Sequence, residues 1–571
     1  MMTLVAVAIT VAYVYSAAVV FGFSGKVFFL ELVTLIDIML LGHWLEMKAV
    51  MGAGSALEEL ASLMPERAHL IRPDGLIEDV AISALKRGDK LLVKPGEKVP
   101  ADAVVVSGGS SLNEAMLTGE SRPIFKRAGA FVVGGSINGE GAIVIRVSRI
   151  GADSYISGVI RLVREAQGSR SAAQDLANRA AFWLTILALS GGAITLAAWS
   201  LFTSQDLAFA MERAVTVMVM TCPHALGLAV PLVVSISTIL AAKHGLLIRN
   251  RIAFEQARNI QAVIFDKTGT LTRGEFGVTK VISLNKNYSE TQLLSYAASV
   301  EQNSEHPIAK AIVKQAKRLW AVARFKAISG QGAEGLVRNK KVKLVGTGYL
   351  RKHKIALKDL AGLKHLSKAH TLTFVLINNK LAGAIALADM IRPESKQAIS
   401  YLKQLGIKCM MLTGDNQQVA DSVAKELGLD EVFAEVLPYQ KREKILAIQN
   451  RGLTVAMVGD GINDAPALAQ ANLGLAIGAG TDVAIETADI ILVKNNPLDV
   501  IAIISLARST YHKMLQNLIW ATGYNAIAIP IAAGLFYHWG LLLSPAIGAA
   551  LMSLSTVICA VNAKLLTLKK L

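Results

Sequence analysis

Cysteine is nearly absent: Cys222, Cys409 and Cys559 are the three in 571 residues, and none stands in a Cys-x-x-Cys pair. A full disulfide framework is excluded, and a reducing cytosol facing the polar parts is expected. Charge is also scarce, at 18% of residues. There is no arginine-rich tail and no interleaving of aromatic with basic residues, so the net charge of +16 does not point to nucleic acid. The excess of Lys and Arg is instead what a membrane protein keeps on its cytoplasmic side. No internal repeat, low-complexity stretch or His-rich leader occurs. The first apolar stretch has no basic leader, which argues against a signal peptide.

What is abundant is apolar residue, 53% of the chain, with a mean hydropathy of +0.45. A helix needs about 20 apolar residues to cross a bilayer. Windows 3–22, 27–47, 180–202, 214–242, 515–537 and 541–563 meet that length. The second carries Asp37, for which the readings are an entry path, a pair with His43, or a place nearer the membrane interface. Long charge-rich segments follow the second and fourth windows, with Lys243, Arg249, Arg251 and Arg258 beside the fourth, so both are placed in the cytoplasm.

The first polar segment, about 65–148, shows short strand-like runs punctuated by Gly and Pro and is read as β-structure. The second alternates short apolar strands with helical patterns, which predicts a parallel sheet covered by helices. Three of its strands end in carboxylates: Asp266-Lys267-Thr268-Gly269-Thr270, Thr413-Gly414-Asp415, and Gly459-Asp460-Gly461-Ile462-Asn463-Asp464. Open parallel sheets bind ligands at the carboxyl ends of their strands. One cleft should therefore gather Asp266, Asp460 and Asp464, with the Thr268 and Thr413 hydroxyls beside them. Such a cluster suits Mg²⁺ with bound phosphate. An Asp can itself be the nucleophile, and Lys441 would offset charge on a transferring phosphoryl group. A single Asp-Gly pair is an ordinary turn; three at successive strand ends are not.

These motifs together resemble those of the P-type ATPases. Asp266 to Thr270 is similar to the phosphorylation signature, the two later motifs to its companions, and Thr118-Gly119-Glu120-Ser121 to the actuator motif. The resemblance implies a polytopic α-helical membrane protein with a β-rich cytoplasmic actuator domain. It also implies an α/β, haloacid-dehalogenase-like phosphorylation domain carrying an inserted α+β nucleotide-binding domain. The implied division is 1–50 for the first two membrane helices, 51–178 for the actuator and its stalk, and 179–243 for the next two helices. The phosphorylation domain takes 244–273 with 386–505, the nucleotide domain 274–385, and the last two helices 506–571. Asp266 would accept the γ-phosphate of ATP, with Lys267, Thr268, Thr413, Asp415, Lys441 and Asp464 in the catalytic set. Asp460, Asp266 and the Thr268 carbonyl would hold Mg²⁺, and Glu120 would position the water of hydrolysis. Ser304-Glu305-His306-Pro307 resembles the nucleotide signature of the heavy-metal branch. By that resemblance Glu301, His306, Gly330, Gly332 and Asn463 would contact the nucleotide. Gly346-Thr347 stands where that branch commonly has Gly-Asn.

Cys222-Pro223-His224 lies inside an apolar window, where Pro223 breaks the helical ladder. Broken backbone at membrane depth is tolerated mainly around a buried site, and thiolate with imidazole binds transition metals. The triplet resembles that of a copper-associated subgroup, which adds Asn525, Met552, Ser553 and Thr556 as candidate ligands. Bland alternatives are a proline kink with a buried thiol, hydroxyls bonded back to helix carbonyls and a core-filling Met. The expected function is ATP-driven copper export, with silver as a further cargo. Rivals are a zinc or cadmium pump, a truncated non-transporting ATPase and a membrane-tethered phosphatase. Expected partners are the transition-metal ion, membrane lipid and a cytosolic metal donor, and the expected location is the plasma (inner) membrane. Heavy-metal pumps usually have eight membrane helices; six windows here suggest a chain that starts at the family's third.

Overall fold

The computed structural model describes residues 2–23, 64–114, 123–168, 171–221, 224–328, 331–353, 355, 370–460, 462–478 and 487–568, with scattered positions between 27 and 47. The chain forms two compact units. One holds 1–258, 489–493 and 502–571; the other holds 259–488 and 494–501.

The first unit contains an antiparallel sheet and the apolar helices. The long strand Asp102–Asn113 is its spine and pairs antiparallel with strands on both sides. Residues of alternate parity point inward, as the two-residue period of a strand requires: Ala103 and Val105 meet Ile143, Ile145 and Val147 in one core. This confirms the β-rich reading of the first polar segment.

The apolar helices are α1 (Met2–Val20), α2 (Ala172–Phe202), α3 (Leu207–Met220) and α4 (His224–Lys243) and, after the short polar α5 (Arg251–Gln256), α6 (Leu498–Ala532) and α7 (Pro545–Lys564). Helical residues also recur between 27 and 47. Side-chain oxygens cap the starts of α2, α3 and α7, from Ser171, Asp206 and Ser544. The window 214–242, read as one span, is two helices. Proline lacks the N–H that continues the ladder and keeps the preceding residue out of the α region, and the break falls at the Cys-Pro-His triplet. Cys222 and Pro223 lie outside the described residues.

The second unit is built on a parallel sheet. Its strands are β1 (Ala262–Asp266), β2 (Lys408–Leu412), β3 (Glu431–Phe433), β4 (Val455–Gly459) and β5 (Leu473–Ile477), in the order β3-β2-β1-β4-β5. The central strands are apolar at almost every position because both faces are covered. The insert between β1 and β2 carries a six-stranded antiparallel sheet, from strand Thr272–Ser283 to strand Lys380–Ile391, with helices Glu290–Glu301 and Pro307–Gln315 packed on it.

A histidine pins the edge of the first unit's sheet. His69 lies between the carboxylates of Asp79 and Glu97, the latter at 2.9 Å from Nε2. Hydrogen bonds to Glu97 and then Asp79 raise its pKa from the ordinary 6.5. The contact with His69 lowers Asp79. Burial pushes Glu97 up, but the bonds from His69 and the Lys94 N–H leave it lowered. A raised imidazole contributes stability that is full below its unfolded value and is lost as pH rises through the folded one; lowered carboxylates lose theirs as pH falls. Protection of the amides of Arg67–Ile71 and Ile77–Ala81 against hydrogen exchange, corrected for intrinsic rates, should therefore decline as pH rises above the ordinary histidine value of 6.5. His69→Gln should abolish that alkaline decline; a decline that persists in the variant assigns it to another group.

Candidate functional site

The parallel sheet decides where the carboxylates meet. In the register of β1 and β2, Asp266 sits opposite Leu412, so Thr413 follows at the same edge. In the register of β1 and β4, Phe265 sits opposite Val458, so Gly459 and Asp460 emerge there too. Chain order reverses across β1, since β2 flanks one side and β4 the other, and this is where a cleft opens in such sheets.

Asp266, Asp460 and Asp464 each offer a carboxylate oxygen within 4.8 Å of the others. Lys441, at the start of helix Lys441–Gln449, donates to Asp266 Oδ1 at 2.6 Å and to Asp464 Oδ1 at 2.5 Å. The Thr268 N–H donates to Asp266 Oδ2 at 2.9 Å, so the turn itself orients the carboxylate. Gly269 has φ +76°, and a β-carbon there would overlap Asp460 Oδ2; only glycine lets the loop pass so close to that carboxylate. Burial and the adjacent Asp464 outweigh Lys441 and raise the pKa of Asp266 to about 7. Asp460 is raised by burial and by Asp464. One ammonium does not neutralise three carboxylates, and the excess negative charge fits a hard divalent cation.

Lys267 points to a neighbouring pair of acids, 2.5 Å from Asp415 and 3.8 Å from Asp389. Thr413 is buried, and its Oγ1 accepts from the Asp415 N–H at 3.1 Å. Sequence reasoning passed over Asp389 and Arg392. Asp389 accepts from the Thr272 hydroxyl at 2.6 Å, and Arg392 donates to the carbonyls of Gly269 and Thr272, each at 3.0 Å. They stiffen the loop behind Asp266. The available signal was a carboxylate near a strand end with Pro393 at the first turn of the next helix.

Residues 260–472 match the haloacid dehalogenase-like hydrolase family, and 62–164 match the P-type ATPase actuator domain. The copper-exporting P-type ATPase B of Archaeoglobus fulgidus is 61% identical over 99% of this chain and 82% of its own length. The chain belongs to the P-type ATPases. The copper-exporting P-type ATPase B of Enterococcus hirae is 44% identical over 100% of this chain and 77% of its own length. A zinc-transporting PIB-type ATPase in its E2.Pi state aligns with a TM-score of 0.60 and 33% identity, over 94% of this chain and 87% of that one. This P-type ATPase is therefore a membrane protein with cytoplasmic domains, and the fold expected from the motifs is the fold found.

In the insert, Glu301 ends helix Glu290–Glu301 and is buried, which raises its pKa against an opposing bond from Ser304. His306 is exposed and caps helix Pro307–Gln315, its Nδ1 accepting from the Ile308 N–H at 3.3 Å. Gly332 has φ +144°, and its missing side chain leaves room for the Leu344 carbonyl. Asn463 is exposed beside Asp464. Gly330 and Glu120 lie outside the described residues.

Within the membrane helices of this ATPase, hydrogen bonds fix the relative heights. The Asn517 side chain donates to the carbonyls of Ala229 on α4 (3.1 Å) and Cys559 on α7 (3.2 Å). Asn562 donates to Asn517 Oδ1 at 2.8 Å, and Lys513 to Asn562 Oδ1 at 2.7 Å. These rungs make α6 and α7 antiparallel, with Asn517 level with Cys559. Asn525 is eight residues on, about 12 Å, which brings it level with Met552. His224 precedes Ala229 by five residues, about 7.5 Å in the same direction. Asn525 and Met552 are 2% and 1% exposed, and both polar side-chain atoms of Asn525 are without a hydrogen-bond partner. Thr556 is buried and bonds back to the Met552 carbonyl at 3.1 Å. Ser553 is half-buried; the buried face of α7 carries Ser555 instead, and its hydroxyl has no partner. The three- and four-residue spacing from Met552 could have singled it out. Asp37 is helical and exposed.

Replacing Lys441 by Met leaves Asp266 and Asp464 without their shared counter-charge. Phosphoenzyme formation from γ-labelled ATP should slow by about a hundredfold, with Lys441→Arg retaining part of the rate. An unchanged rate in Lys441→Met would remove the lysine from the reaction.

Proposed function

We propose that this ATPase exports copper from the cytosol across the plasma (inner) membrane through an aspartyl phosphate on Asp266. Silver is a second cargo of the same soft character. The reading of the cargo rests on one observation above the rest. His224, Asn525 and Met552 occupy neighbouring heights on three membrane helices, with Asn525 buried and unpartnered. Buried polar groups at that depth are costly and mark ion paths; Cys222 and Met552 offer soft sulfur, and the His224 imidazole also suits copper. The names of the relatives agree, since two are copper exporters. Ser553 and Thr556 remain candidate ligands, and Ser555 joins them.

In the catalytic domain, an oxygen of Asp266 attacks the γ-phosphorus of ATP, forming the acyl phosphate as the bond to the ADP oxygen breaks. Lys441 offsets charge on the transferring group, and Thr268, Thr413 and Asp464 hold the surrounding hydrogen bonds. Lys267 and Asp415 shape the wall beside it. Asp266, Asp460 and the Thr268 carbonyl are assigned to hold Mg²⁺, which when bound would neutralise phosphate charge. Glu301, His306, Gly330, Gly332 and Asn463 are assigned to the nucleotide, and Glu120 to the water that hydrolyses the acyl phosphate. The domain limits read from the motifs are kept, with a cytosolic metal donor as a candidate partner.

ATP hydrolysis in lipid vesicles should be stimulated by copper, supplied as copper(I) or copper(II), and by silver, and not by zinc or cadmium. The stimulation should vanish in Asp266→Asn and in Cys222→Ala. Stimulation by zinc or cadmium alone would transfer the chain to the zinc-type cargo, and hydrolysis indifferent to every metal would refute a coupled pump.

A further inference from the structure

Resting on the copper-export reading, we infer that the bond from Arg213 to the Leu543 carbonyl is the outer latch of the ion path, which must open for release. With the large domains in the cytoplasm, the turns between α2 and α3 and between α6 and α7 lie on the outer side. Arg213 is on α3, seven residues before Met220 and so about 10 Å further out. It is a membrane-helix arginine with a 2% exposed side chain. Nη1 donates to the Leu543 carbonyl at 2.6 Å, Nη2 meets the Glu212 carboxylate, and the guanidinium lies 5.4 Å from the Phe209 ring centroid. Nε has no partner.

Leu543 is two residues ahead of α7, the helix that carries Met552. Its side chain packs against the apolar cluster formed by Val217 and Met220 of α3 with Ala528 and Ala532 of α6. An ion leaving the level of Asn525 and Met552 between these helices meets that apolar plug first and the guanidinium next. The closed apolar seam beneath the Arg213–Glu212 pair opposes both premature exit and re-entry of an ion, because burying an unpaired charge there is costly. Glu212 is 30% exposed and neighbours Arg213, so it supplies a partner that can keep the guanidinium once it leaves Leu543.

The same seam is braced by an aromatic group. Trp199 lies 4.9 Å from Phe209 and 5.5 Å from Tyr537, and these two lie 5.3 Å apart, by ring centroids. Trp199 Nε1 donates to the Ala533 carbonyl at 2.8 Å, and Gln205 donates to the Tyr537 hydroxyl at 2.9 Å. Gly534, at φ +87°, lets the backbone pass under the Trp199 ring, where a β-carbon would come within 2.7 Å. Aromatic residues are common at membrane surfaces as anchors. Here they join the α2–α3 turn to the α6–α7 turn, and Arg213 adds a charge-assisted hydrogen bond between the same two hairpins.

Arg213 is a positioning residue, and the test separates that from a packing role. Arg213→Met keeps the bulk and removes the bonds and charge. Losing a charge-assisted hydrogen bond shifts a closed–open balance by about tenfold. Metal-independent ATP hydrolysis in vesicles should therefore rise by about tenfold, and copper(I) moved per ATP should fall, while the phosphoenzyme level stays at that of the wild type. Arg213→Lys should restore part of the coupling. A wild-type transport ratio in Arg213→Met overturns the latch. A second measurement needs no change at Arg213. Leu543→Cys in nanodiscs, against the parent chain as background, should react about tenfold faster with an impermeant maleimide once beryllium fluoride mimics the phosphoenzyme; equal rates overturn the latch. Failure of the copper reading itself would show differently, as a wild type that neither copper(I) nor copper(II) stimulates.

Discussion

The structure depends on how negative charge is held at the edge of one parallel sheet. Parallel pairing of β1 with β2 and β4 forces their carboxyl ends together, and the sequence places acids at each. Asp266, Asp460 and Asp464 would repel one another in a buried cleft, and Lys441 is the ammonium that bridges two of them. The remaining deficit of positive charge is the property that phosphate chemistry with a divalent cation requires. Gly269, Asp389 and Arg392 are then explained as the parts that keep the loop tight against the cluster.

The membrane helices solve a related problem with neutral groups. Asn517, Asn562 and Lys513 satisfy one another and two backbone carbonyls, which locks α4, α6 and α7 in register. The groups left unsatisfied are the informative ones. Asn525 and Ser555 pay for burial without a partner, at the height where Met552 points into the bundle. Helix α3 ends at Met220 and α4 begins at His224, near that level. Polar atoms stranded in this way are expected where a ligand completes the set.

Much of this was legible in the sequence, because the signals were periodic or punctuated. The alternation of apolar strands and helices gave the parallel sheet, and acids at three strand ends gave the cleft. Pro223 marked the break that divides an apolar window into α3 and α4. Other features depend on tertiary distance, which no local pattern encodes. The bridge from Lys441 to both Asp266 and Asp464 was legible only as a nearby lysine. Asp389 and Arg392 reach the cleft from across the insert. Arg213, one residue before the window 214–242, drew no reading from the sequence, and its meaning lies in a carbonyl 330 residues away. On α7, Ser553 was favoured over Ser555 because the motif was read by its letters rather than by its helical face.

The central claim is that the ATPase stores the γ-phosphate on Asp266, the carboxylate that Asp460, Asp464 and Lys441 surround. The most direct measurement is to acid-quench the protein with γ-labelled ATP, map the labelled peptide and test its lability to hydroxylamine. The account predicts a single hydroxylamine-labile label on the peptide containing Asp266. A label on another residue, or hydrolysis with no covalent label, would contradict it.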